Sequence, residues 1–128
     1  MARIKGLREA FGLTPPKPSS SGPRVTLSKR AAAPRPARLG VLGGAYNPIT
    51  LAHLAVGEAA MRNFGIDEVL FLLPHVPPHK TIFGASLEQR LEMMRLAAAG
   101  VAHASVGIST HGLFVDMYEG LLAVYPHC

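Results

Sequence analysis

LGVLGGAYNPITLAHL, Leu39 to Leu54, is the stretch whose reading decides the fold. Its apolar start (Leu39, Val41, Leu42) runs into the pair Gly43-Gly44, and a polar turn then leads to Thr50. Beyond Thr50 the apolar residues change period, falling at Leu51, Leu54 and Ala55 with Glu58 on the far side. A buried strand, a glycine turn and a helix opening on a hydroxyl cap together predict the first unit of a nucleotide-binding α/β domain. Glycine has no Cβ, so Gly43 and Gly44 are expected to let backbone come close to a phosphate. The free N–H groups of the following helical turn favour the same anion. Two side chains mark that helix start, Thr50 at the N-cap and His53 three residues on.

Working outward, 128 residues allow one domain at most, with apolar content for a modest core. The formal charge of +5 resembles a nucleic-acid signal, but its distribution opposes that reading. Residues 1–38 carry nine Lys or Arg against Glu9 alone, whereas residues 39–128 carry four basic and seven acidic residues. The basicity therefore sits outside the predicted body, and no nucleic-acid partner is expected. Residues 1–38 are rich in Pro, Ser, Ala and Arg, a composition that predicts a disordered tail, with at most a short helix over Ile4–Phe11. The domain is thus expected to span 39–128. Cys128 is the single cysteine, so a disulfide framework is excluded and a reducing compartment, the cytoplasm, is the plain expectation. No apolar run has the length of a membrane span.

From Leu39 the elements alternate. A strand at Leu39–Gly43 leads to a helix at Leu51–Asn63, with Gly65 as the stop residue. The run Glu68–Leu73 reads as a strand covered on both faces. A Pro- and His-rich loop, Pro74–Gly84, follows, and Ser86-Leu87-Glu88-Gln89 has the form of a capping box. That box opens a helix with Leu87, Leu91, Met94 and Ala98 on its inner stripe. Ala104–Ser109 predicts a third strand and Leu113–Val124 a third helix. The order β-α-β-α-β-α implies an α/β fold with a Rossmann-like parallel sheet and flanking helices. A third strand left at the sheet margin would invite pairing between chains, so a homo-oligomer is conceivable.

In open parallel sheets ligands bind beyond the carboxyl ends of the strands, which here means the loops Gly43–Thr50 and Pro74–Gly84. The second supplies Pro77-Pro78-His79-Lys80, a stiff lead-in to an ammonium suited to phosphate oxygens. A His53 donor at a helix N-terminus can hold a phosphate oxygen as charge builds, with no covalent intermediate. Neither G-x-G-x-x-G nor G-x-x-x-x-G-K-[ST] occurs. His75 and His79 have no third ligand nearby, so no metal bound by protein side chains is expected. His103, His111 and His127 read as incidental, and Arg90 as a partner for a neighbouring Glu of its helix.

GGAYNPITLAH resembles the nucleotidyltransferase signature, a glycine pair, an aromatic, Asp or Asn, Pro and then His/Thr-x-Gly-His. PHVPPHK followed by SLEQRLEMMRLA narrows the likeness to the nicotinate-nucleotide adenylyltransferases, and GLFVDMY ending in Tyr125-Pro126 extends it. The resemblance implies transfer of AMP from ATP, with Mg²⁺ on the phosphates, to a nicotinate or nicotinamide mononucleotide. It places His53 and Thr50 at the motif's two His/Thr positions and Lys80 on phosphate, all three as catalytic groups. It places Gly43, Gly44, Ala45, Tyr46, Asn47 and Arg90 in nucleotide binding and Asp116 in substrate binding.

The chain also departs from that pattern. Ala52 stands at the motif's glycine, and Leu113-Phe114 at the Tyr-Thr pair that helps to hold the pyridine ring. The family pattern continues past the position of Cys128 with further strands and a Ser/Thr-rich segment near an arginine, so the expectation is the N-terminal half of the fold, truncated. Two other readings stay open. One is a nucleotidyltransferase acting on a pantetheine phosphate or an alcohol phosphate, and the other is a non-catalytic, nucleotide-binding fragment.

Overall fold

The computed structural model describes residues 22–32, 35–75 and 81–128. Strands β1 (Val25–Lys29), β2 (Leu39–Gly43), β3 (Glu68–Pro74) and β4 (Ala104–Ser109) and helices α1 (Leu51–Phe64), α2 (Leu87–Ala98) and α3 (Phe114–Val124) follow in the order β1-β2-α1-β3-α2-β4-α3. They form a four-stranded sheet of order β1-β4-β3-β2. β2, β3 and β4 are parallel neighbours, as the alternating pattern predicts. β3 is buried at all seven positions because both of its faces are covered. One face carries Val69, Phe71, Leu73, Met94, Ala98 and Val106 in a single cluster, with Leu54 and Met61 of α1 against it. On the other face α3 contributes Met117 and Leu121 against Leu70, Leu72 and Val25.

The parallel sheet is therefore not the whole sheet. β1 pairs antiparallel with β4, Val25 opposite Ser109 and Thr26 opposite Ile108. This corrects the boundary at residue 38, since Val25–Lys29 belongs to the folded body and not to a disordered tail. The physical reason is visible in Val-Thr-Leu-Ser-Lys, whose alternation buries Val25 while Thr26 and Ser28 stay out. Beyond β1 the backbone amide of Ala31 donates to Ser105 Oγ at 2.8 Å, and that of Ala32 to the Ala102 carbonyl at 2.8 Å. The margin of β4 is therefore filled from within the chain. Residues 1–21 of the tail expected over 1–38, with the short helix at Ile4–Phe11, lie outside the described residues.

Lys29 follows the same logic. Its ammonium donates to the carbonyls of Val101 at 2.8 Å and Ala104 at 2.6 Å. Burial lowers its pKa from the usual lysine value, with the Glu68 charge opposing. Glu68 is itself buried and accepts from Ser105 Oγ at 2.5 Å and from the Tyr125 hydroxyl at 2.6 Å. Among the described residues no helix is long and apolar enough to cross a membrane.

Two glycines let the layers close. A Cβ at Gly57 of α1 would lie 3.2 Å from Phe71, so the helix rests almost directly on β3. At Gly120 of α3 it would come within 2.9 Å of Val25 Cγ2 and 3.1 Å of β1 backbone, where nothing flexible can yield. Gly120→Ala should therefore lower the unfolding free energy by about 1–3 kcal/mol. Gly100→Ala, with nothing within 4 Å of its Cβ, should leave it within about 0.5 kcal/mol in the same urea titration.

Candidate active site

The loops that follow β2, β3 and β4 lie at the carboxyl ends of the parallel strands, and Gly43, Gly44, Ala45, Tyr46, Asn47, Thr50 and His53 belong to the first of them and the helix start it leads into. The first loop extends the ladder by one bond, from the Gly44 amide to the Leu72 carbonyl at 3.3 Å. Gly43 and Gly44 do not owe their place to backbone freedom, because neither has a positive φ. The residue in the left-handed region is Tyr46, at φ 42°. What Gly44 supplies is space, since a Cβ there would press on the Tyr46 ring at 3.3 Å.

Tyr46 is the hub of this loop. Its side chain is only 3% exposed and its hydroxyl donates to the Leu42 carbonyl. Its ring meets Phe71 edge-on at 6.2 Å and the His53 imidazole at 5.0 Å, with planes 64° apart. Such edge contacts fix ring orientation as well as burying area. The Asn47–Pro48 peptide is cis. Asn47 Nδ2 then donates to the Phe83 carbonyl at 2.6 Å, which joins the loop after β2 to the loop after β3.

Thr50 ends the loop in an extended conformation and caps α1. Its backbone N–H donates to His53 Nδ1 at 2.9 Å, and its Oγ1 lies 3.0 Å from the same nitrogen. The imidazole thus takes the part that a Glu or Gln plays in a capping box. Because Nδ1 is an acceptor, the proton of the neutral ring resides on Nε2. His53 is half-buried and the first turn of α1 has no acidic residue, so the dipole of the helix end stays unneutralised. A fixed N–H donor beside free helix amides is a chemical fit for an anionic oxygen.

Arg90 sits on the concealed side of the loop. It is 4% exposed, and its Nη1 donates to the Ala45 carbonyl at 2.8 Å. The expected pairing of Arg90 with a helix neighbour is not formed, and the pair on α2 is Glu92 with Arg95 at 2.5 Å. Lys80 and His79 lie outside the described residues, so the structure does not place the ammonium. Asp116 is in the first turn of α3, half-buried, where its charge suits the helix dipole. Phe114 opens that helix, 78% exposed, and a Cβ on Gly43 would touch its ring at 3.6 Å. Among the described residues no group of three His, Cys, Asp or Glu side chains could hold a metal ion. A separate cavity of about 190 Å³, lined by Arg30, Arg35 and Tyr125 among others, lies away from these loops.

Sequence reasoning missed the link between Asn47 and Phe83, the hub role of Tyr46 and the bond from Arg90. A signal for the last was present, since residue 90 falls on the inner stripe with Leu87, Leu91 and Met94, a place where a charge is unusual.

The profile of the cytidylyltransferase-like family matches residues 41–107, from the middle of β2 into β4. A protein of Gloeobacter violaceus named probable nicotinate-nucleotide adenylyltransferase is 47% identical over 66 residues, which are 51% of this chain and 32% of that protein. One of the same name from Listeria monocytogenes serotype 4a is 43% identical over 65 residues, 50% of this chain and 35% of its own length. Another, from Citrifermentans bemidjiense, is 49% identical over 63 residues, 48% of this chain and 29% of its own. The chain thus spans about a third of the length of the curated relatives it matches.

Burial pushes the phenols of Tyr46 and Tyr125 above the ordinary value of 10.0, with the hydrogen bond to Glu68 adding to the effect at Tyr125. The folded chain therefore keeps protons that the unfolded chain releases above pH 10. This stabilisation is complete below that pH and is lost as pH rises toward the raised native values. Unfolding free energy should fall above pH 10 by up to about 1.4 kcal/mol per pH unit for each tyrosine. Tyr46→Phe should remove one proton's share of the slope in urea titrations at several alkaline pH values, and an unchanged slope would contradict the assignment.

Proposed function

The chain belongs to the cytidylyltransferase-like family, and on that premise we propose that it serves adenylyl transfer from ATP to nicotinate or nicotinamide mononucleotide, in NAD biosynthesis. The names of its relatives support the acceptor, and the geometry at His53 supports the donor. In the proposed reaction an acceptor phosphate oxygen attacks the α-phosphorus of ATP. A bond forms there as the bond from the α-phosphorus to the bridging oxygen breaks, and pyrophosphate leaves with the electron pair.

The single observation that carries this reading is the Nδ1 hydrogen bond from Thr50 N–H, which commits Nε2–H of His53 to donation. That donor meets charge growing on the phosphate oxygens, and electrostatic stabilisation of this kind needs no nucleophile from the protein. Thr50 is a positioning residue in this reading, through its hold on the ring. Gly43, Gly44, Ala45, Tyr46 and Asn47 form the wall against which the triphosphate lies, and Lys80 neutralises the departing pyrophosphate. Mg²⁺ arrives on the ATP phosphates as part of the substrate and screens their charge. Asp116 and the exposed Phe114 ring face the acceptor, whose flat base the aromatic surface suits. The compartment in this reading is the cytoplasm.

Pyrophosphate release tests the reading directly. It should require ATP with one of the two mononucleotides, whereas turnover with pantetheine phosphate or an alcohol phosphate instead would identify a different acceptor. ATP binding without release from any mixture would reduce the function to nucleotide binding. His53→Ala should lower turnover by about 10²–10³-fold, the scale for losing one preorganised donor. ATP affinity should change far less, since the bond strengthens only as charge develops. Equal losses in kcat and in ATP affinity would rule out that role.

A further inference from the structure

We propose that Arg90 is a positioning residue for His53, acting from beneath the loop through Ala45 and Tyr46. The inference rests on the reading above only for its consequence on phosphate binding; its structural part is independent of it. Arg90 is 4% exposed, and its Nε is buried with no hydrogen-bond partner among the described residues. A buried guanidinium with so few bonds gains less for stability than an apolar side chain of its size would. Among the described residues no carboxylate lies within ion-pair distance of it, the one pair on its helix being Glu92 with Arg95.

What the guanidinium does hold is informative. Its bond goes to the carbonyl of Ala45, the peptide that leads into Tyr46 at φ 42°. A non-glycine residue in that region persists only where its surroundings impose it. The Tyr46 ring so placed stands at 5.0 Å from His53 and fills the space left by Gly44. The line of force therefore runs from Arg90 to the Ala45 carbonyl, to the Tyr46 ring and to the imidazole. A cation under the loop, in no ion pair among the described residues, also favours an anion above it.

The test uses the full chain and the ¹⁵N signals of the His53 ring. In the native protein these should report one tautomer, with Nε2 protonated. In R90M the ring should exchange between tautomers and inorganic tripolyphosphate should bind at least fivefold more weakly, while R90K, which keeps one donor and the charge, should recover both to within about twofold. A folded R90M with unchanged ring signals overturns the proposal, as does an R90K no better than R90M. Should R90M fail to fold, the native protein still decides. Tripolyphosphate should then shift the Arg90 guanidinium and His53 signals with one dissociation constant, and a silent Arg90 overturns the inference. If tripolyphosphate does not bind the native chain at all, the proposed function fails, yet the ring signals of ligand-free R90M and R90K still test the positioning role.

Discussion

The placement of the Tyr46 ring is the constraint on which the site depends. A large side chain is buried in a backbone conformation that it disfavours, and it stays there because several groups converge on it. The Leu42 carbonyl takes its hydroxyl, Gly44 leaves room for its face, and Phe71 meets its edge. The cost of the left-handed turn is of order 1 kcal/mol or more, whereas burying an aromatic ring returns roughly 1.5–3 kcal/mol. Burial therefore wins, and its by-product is an imidazole held against a fixed wall at the mouth of a helix.

Much of this fold is legible in the residues themselves. The change of apolar period at Thr50 gives the first strand–helix unit, and Gly65 at φ 60° ends the helix as its identity suggests. Ser86 and Gln89 form the reciprocal cap, with the Gln89 amide donating to Ser86 Oγ at 3.1 Å and the Ser86 amide to Gln89 Oε1 at 2.9 Å. These features are local, and local patterns carry their own geometry. β1 was hidden for the opposite reason. Five alternating residues are a faint signal beside the prolines, serines and arginines that flank them, and their partner β4 is about eighty residues away in sequence.

At the loop after β2 the sequence pointed to residues and not to how they hold one another. Thr50 and His53 could be picked out by spacing, yet their mutual hydrogen bond decides which ring nitrogen carries the proton. The glycine pair was visible, but not that Gly44 makes room for the Tyr46 ring, nor that the left-handed position falls on the aromatic itself. Arg90 was read as the partner of a neighbouring Glu although it falls on the inner stripe, and no pattern within its helix can say that its target is a carbonyl 45 residues earlier.

The amide of Asn47 has one more effect. By gripping the Phe83 carbonyl at 2.6 Å it pegs the far end of the second loop to the first. Only three Cα–Cα steps separate that peg from position 80, a leash of at most about 11 Å from α-carbon to α-carbon. By chain length alone, position 80 is thus tethered to the loop that leads into the cap of α1.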